Sequence, residues 1–228
     1  MVNLLPATTN LFLLVLSVSA CASASASATL STADTDSDLV VDFDGNPLEV
    51  GSQYYIQSIF SLPGGVGRSA RSPTPADYPC PLYAFEYPHE DDNGDPIKFV
   101  PADATRKQIH LSSDVQIDSG VSTYCGDDGL WRMSDDGING RIVIIASGAS
   151  NVPPTSFKIE TTGGSKVYNI TYCPPPRSSL RLQGSSCLYL TRFQDILSGM
   201  IMLGLTDDAA EAFPVIFAKY KRDVVATI

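Results

Sequence analysis

An all-β fold, a sandwich or barrel, is what this sequence predicts from residue 38 onward. Three observations predict it. Short apolar runs rich in Val, Ile, Tyr and Phe recur at roughly 10 to 15 residue intervals, enough for eleven or twelve strands. Clusters of Gly, Pro, Asn and Asp separate the runs, and these residues favour turns. Helical period is scarce. The best helical stretch is FQDILSGMIML (Phe193 to Leu203), and Gly199 interrupts it between strand-like neighbours.

Taken in order, DGNP precedes the first long run, YYIQSIF, and LPGG closes it. GGVGRSA then reads as a glycine-rich hairpin loop. PLYAFEY follows, bounded by DDNGDP, and then IKFV. The proline-led polar loop Pro101 to Gln108 has neither helical nor strand period and leads into IHLSSDVQI. LWRM and RIVIIA flank the turn DDGING, and NVPP ends the pair. SFKIE alternates from Ser156 to Glu160, which suits a half-buried strand. TTGG separates it from KVYNITY, and PPPR from CLYLTRF. MIMLGL, the turn LTDD and FPVIFAKY close the series. No composition break appears after residue 38, so the chain reads as one domain over 38–222, with a tail at 223–228.

The first residues differ. Leu11 to Leu16 is a short apolar core, small residues follow at Val18, Ser19 and Ala20, and a Ser/Ala tract comes next. The apolar run falls short of the ~20 residues a membrane span needs. Residues 1–26 therefore read as a signal peptide with its Ser/Ala-rich segment, although the start lacks positive charge. Residues 27–37 read as a disordered mature N-terminus. The chain is expected in a secreted, extracellular or vacuolar compartment.

A net charge of -10 argues against nucleic acid and against anionic membranes, because phosphate binding is driven by Lys and Arg. Losing the leader removes Cys21 and leaves Cys80, Cys125, Cys173 and Cys187. An even count in a secreted chain suggests two disulfides, and four cysteines allow three pairings. Sequential pairing would contribute ~4 and ~3 kcal/mol in the chain-entropy model. Asn169 heads an NIT glycosylation acceptor that would need an exposed strand face.

Candidate chemistry is sparse. Gly65 to Ala70 has the form of a dinucleotide fingerprint, but prolines at 73, 75, 79 and 81 forbid the helix that must follow. EDDNGDP lacks the ligand spacing of a calcium loop. His89 and His110 are the only imidazoles, no nucleophile elbow is present, and no cysteine pair has zinc spacing. Trp131 reads as core. The chain is thus expected to bind rather than catalyse, with no metal and no cofactor.

Several segments, in order, resemble the plant Kunitz inhibitors of the soybean trypsin inhibitor type. They are DFDGNPLEVGSQYYI from Asp42, CPLYAFEY from Cys80, KFVPADATRKQIHLSSDVQI from Lys98, LWRM, SFKIE, KVYNITYC and LGLTDDAAEAFPVIFAKY. The resemblance implies a β-trefoil, with six of twelve strands closing a barrel and six capping it. It implies the pairings Cys80–Cys125 and Cys173–Cys187. It also implies a monomer that binds an endopeptidase through the loop after Pro101, with Asp103 and Ala104 flanking the reactive bond.

Two residues depart from the inhibitor pattern. Trypsin's pocket floor is an Asp, and Asp103 would bury a second negative charge against it. Val50 stands where the family's inhibitors carry an Asn that braces the loop, so the loop is expected to be unbraced. Trypsin is disfavoured as the target. Arg106 or Lys107 could meet the pocket in a shifted register, and Arg68 with Arg71 reads as an exposed basic pair in another loop. A non-inhibitory storage, defence-associated or small-ligand-binding member is the alternative.

Overall fold

The computed structural model describes residues 38–59, 64–71, 80–120, 124–126, 128–175 and 187–221. The expected leader, mature N-terminus and C-terminal tail lie outside the described residues. Twelve strands are described: β1 (Tyr54–Ser58), β2 (Val66–Ala70), β3 (Leu82–Glu86), β4 (Lys98–Pro101), β5 (Val115–Asp118), β6 (Arg132–Ile138), β7 (Arg141–Ser147), β8 (Lys158–Thr161), β9 (Tyr168–Tyr172), β10 (Leu188–Gln194), β11 (Ile201–Thr206) and β12 (Val215–Lys219).

Six of them close a barrel. β1 pairs with β12, β12 with β9, β9 with β8, and β4 with β5, all antiparallel. Two bridges complete the ring: Tyr54 with Ile97 joins β1 to the start of β4, and Val115 with Phe157 joins β5 to the start of β8. The other six form hairpins β2–β3, β6–β7 and β10–β11. Their strands β3, β7 and β11 pair with one another in a triangle. A six-stranded barrel capped by three hairpins in threefold array is a β-trefoil.

The barrel interior follows from strand periodicity, since alternate residues share a face. Tyr54, Ile56, Phe99, Val115, Ile117, Ile159, Tyr168, Ile170, Val215 and Phe217 are all buried. Phe217 meets Phe99 edge-on at 5.1 Å and stacks on Tyr168 at 5.5 Å. Trp131 is buried with them, and its indole N–H donates to Ser119 Oγ at 2.7 Å. A smaller cluster of Ile138, Val143 and Met202, with Phe193 and Met200 against it, lies under the cap. Disulfides join Cys80 to Cys125 and Cys173 to Cys187.

Three local expectations change. FQDILSGMIML is the β10–β11 hairpin, with Phe193 opposite Met202. GGVGRSA is largely strand β2, because prolines that forbid a following helix do not forbid a strand. Gly67 is needed there: a Cβ would meet the Tyr87 ring at 2.3 Å. DDGING is mostly strand, since β6 runs to Ile138. Only Asn139 and Gly140 turn, with φ of 56° and 74°, as a two-residue hairpin loop requires.

Candidate functional site

The loop after Pro101 leaves the end of the β4–β5 pair. Pro101 sits opposite Val115 in the ladder, and the Ala102 N–H donates to the Asp114 carbonyl at 2.9 Å. Beyond Ala102 the chain turns on itself. The Asp103 carboxylate accepts from the Thr105 N–H at 3.0 Å and from the Thr105 hydroxyl at 2.6 Å. The Arg106 N–H donates to the Asp103 carbonyl at 3.2 Å. This is an Asx turn, in which a short carboxylate satisfies backbone two residues on.

The exit of the loop is held from outside. The Val50 N–H donates to the Lys107 carbonyl at 2.9 Å, and the Ile109 N–H to the Leu48 carbonyl at 2.9 Å. Glu49 bridges Gln108, and Leu39 bridges His110. Farther on, the Ser112 N–H donates to the Ile159 carbonyl at 3.0 Å, and Lys158 Nζ lies 3.2 Å from Asp114 Oδ1. Both feet of the loop are therefore clamped while Ala102 to Thr105 stand exposed. Valine lacks the side-chain hydrogen bonds of an Asn, but its main chain supplies a brace.

The side chains at the apex differ in their freedom. Asp103 remains 55% exposed and lies 3.6 Å from Arg106 Nε. The Thr105 hydroxyl, and after it the Thr105 N–H, hold the Asp103 carboxyl below the usual carboxylate range. Asp103 is thus a charged residue turned partly onto its own loop. Ala104 and Lys107 are exposed.

Arg68 and Arg71 lie elsewhere, on the hairpin β2–β3 and just after β2. The expected exposed basic pair does not form. Arg68 donates to the Gly120 carbonyl at 2.7 Å and faces Asp95 at 3.6 Å. Arg71 holds the buried Asp195 carboxylate through two bonds, at 3.1 and 3.0 Å. Carboxylates distant in sequence have folded against both guanidinium groups. Asn169 is half-exposed on β9 between buried Tyr168 and Ile170, so its amide faces outward. Among the described residues, no group of three or more His, Cys, Asp or Glu is placed to hold a metal.

Two features were not anticipated. One is Asp195 itself, 0% exposed at the β10–β11 turn. Arg71 foremost, then Ser198, hold its carboxyl far below the usual range against the opposing effect of burial. Its signal, an Asp three residues before Ser198-Gly199, sat inside the best helical stretch and was not read as a turn. The other is an open cleft of about 390 Å³ between Phe43, Tyr55, Asn93 and Lys221. Phe43 beside it is 62% exposed.

Comparison with known proteins adds to this geometry. The legume Kunitz family model, described as trypsin and protease inhibitor, matches residues 40–219. Kunitz-type trypsin inhibitor 1 of Selenicereus undatus is 38% identical over 173 residues, covering 75% of this chain and 96% of that protein. Miraculin of Synsepalum dulcificum is 29% identical over 153 residues, covering 63% of this chain and 69% of that protein. The crystal structure of a Kunitz-type trypsin inhibitor from Cicer arietinum superposes with a TM-score of 0.65 at 25% identity, covering 81% of this chain and 99% of that one.

Proposed function

This chain belongs to the Kunitz family of trypsin and protease inhibitors, and on that premise we propose that it is a secreted endopeptidase inhibitor acting through the 102–107 loop. One observation carries the reading: the loop is exposed at its apex and clamped at both feet. A preordered loop loses little conformational entropy when it enters a cleft, so more of its contact energy appears as affinity. By family position Asp103 and Ala104 flank the bond offered to the protease. The Asp103 charge suits a cationic specificity pocket and opposes trypsin's acidic one. Lys107, exposed on a pinned backbone, is the side chain a trypsin-like pocket would take if the register shifts.

A panel of trypsin, chymotrypsin, subtilisin, papain, pepsin and an Asp-specific protease tests this, with Asp103→Arg alongside the oxidised wild type. Wild type inert on trypsin, with Asp103→Arg inhibitory, is the expected outcome. Failure of both proteins against the whole panel would overturn the reading.

One observation favours a second reading. The cleft beside Phe43 and Tyr55 falls within the size range of small-ligand pockets. A non-inhibitory, ligand-binding member would use that cleft and be indifferent to every protease in the panel.

A further inference from the structure

The β10–β11 turn carries two bare aliphatic side chains, Ile196 at 83% and Leu197 at 74% exposed. Hairpin tips are ordinarily built from small and polar residues. This tip is also held in one shape. The buried Asp195 carboxylate accepts from the Ser198 N–H at 3.0 Å and the Ser198 hydroxyl at 2.6 Å, besides its two bonds from Arg71. The Gly199 N–H donates to the Asp195 carbonyl at 2.8 Å, and the Asp195 N–H to the Met200 carbonyl at 2.8 Å. Gly199 takes a φ of 72°, which suits glycine. Phe193, Met200 and Met202 root the hairpin in the cap cluster. An apolar residue at position 195 could seat the hairpin without burying a charge. The carboxylate instead gathers the turn's own donors and fixes its conformation.

We propose that this turn is a second docking element, which seats Ile196 and Leu197 in the apolar specificity cleft of a chymotrypsin- or subtilisin-type endopeptidase. Area and charge limit the occupant to a concave, uncharged pocket, and the inhibitory reading makes that pocket a protease's. Two aliphatic side chains bury on the order of a few hundred Å², against about 1,200 Å² for a stable flat interface. A second copy meeting the tip face to face would therefore be too weak, and a concave pocket is required. Arg71 neutralises Asp195, and no other ionisable residue lies between Phe193 and Thr206, so the pocket must be uncharged. The closed turn offers no extended peptide for cleavage, so the contact is insertion rather than substrate mimicry.

The site is separate from the 102–107 loop. The cap hairpin β2–β3 lies between β1 and β4 in the chain, so the cap is at the start of β4. The 102–107 loop leaves the other end of that strand. The turn and the loop thus lie at opposite ends of the barrel. The choice of a protease as partner rests on the inhibitory reading above, whereas the turn's geometry does not.

The test measures binding of chymotrypsin and subtilisin, each with its catalytic serine replaced by alanine so that the specificity cleft stays open, by the oxidised mature chain. It compares wild type, Ile196→Ser/Leu197→Ser and the conservative Leu197→Met. The tip is solvent-exposed, so circular dichroism should show both variants folded. The double serine variant should weaken binding at least roughly tenfold for each side chain removed, and Leu197→Met should bind as wild type does. Unchanged binding by the double variant overturns the proposal, as does a wild type that binds neither enzyme. Inhibition of any other protease in either case leaves the 102–107 reading standing. Indifference to the whole panel removes both.

Discussion

Val50 donates its backbone N–H to the carbonyl of Lys107 at 2.9 Å, and this bond anchors the exit of the exposed loop. The Val50 side chain itself is 39% exposed and serves no part of that brace. Val50→Ala should therefore leave stability within about 0.5 kcal/mol and inhibition unchanged. Val50→Asn should add side-chain hydrogen bonds to the loop, tightening inhibition about fivefold if one such bond contributes ~1 kcal/mol. Inhibition constants for the three proteins against whichever protease wild type inhibits decide this. An Asn no better than Ala would mean that the main-chain bond alone sets the loop's order.

The Asp103 turn should be pH-sensitive in a defined sense. Its folded carboxyl lies below the ordinary carboxylate range, chiefly through Thr105. A depressed folded pKa gives order that is fully present above the unfolded value and lost as pH falls through the folded one. The loop should resist limited proteolysis equally at pH 7 and pH 5, and loosen only in stronger acid. Asp103→Ala and Thr105→Ala should be cut faster near neutrality. Equal cleavage rates for wild type and Asp103→Ala at pH 7 would show that the clamped feet, rather than the turn, order the apex.

The barrel was legible because its strands alternate visibly. Ile159 between Lys158 and Glu160 on β8, and Ile170 between Asn169 and Thr171 on β9, carry a period of two, and turn residues bound each run. The β10–β11 hairpin was not, because FQDILSGMIML places apolar residues at both helical and strand spacings. Its pairing with β3 and β7 decides the matter. Arg71 looked like free surface because its partner Asp195 is 124 residues away in the chain. The Val50 brace was invisible for another reason: any residue except proline supplies a backbone N–H. Residue identity therefore showed what the loop lacks and not what replaces it.

Breaking the Arg71–Asp195 pair should be costly. Asp195 is fully buried, and removing one partner of such a pair leaves the other uncompensated, at a cost on the order of 3 kcal/mol. Asp195→Ala also strands the Ser198 donors. Arg71→Ala leaves the buried carboxylate unpaired, so its urea midpoint should fall well below that of wild type, with Asp195→Ala intermediate because the guanidinium it leaves behind is 30% exposed. The pH sign matches that of Asp103: the depressed carboxyl contributes above the unfolded range and is lost in strong acid. Midpoints that coincide across the three proteins would assign the hairpin's stability to the apolar cluster beneath it.

Asn169 gives the clearest test of the secretory route. It lies on β9 with its neighbours Tyr168 and Ile170 turned into the barrel, so its amide faces outward opposite Glu160. A glycan there would extend into solvent without disturbing the core. Full-length chain expressed in plant secretory cells should therefore appear as a heavier species that an N-glycosidase converts to the bare mass. Asn169→Gln should abolish the shift and leave the fold intact, since position 169 lies on the outward face of β9. Secretion of an unmodified chain would show that pairing of β9 with β8 outruns the transferase, because the acceptor must be reached before the strand is seated in its sheet. Retention in the cytosol would instead remove the leader assigned to residues 1–26.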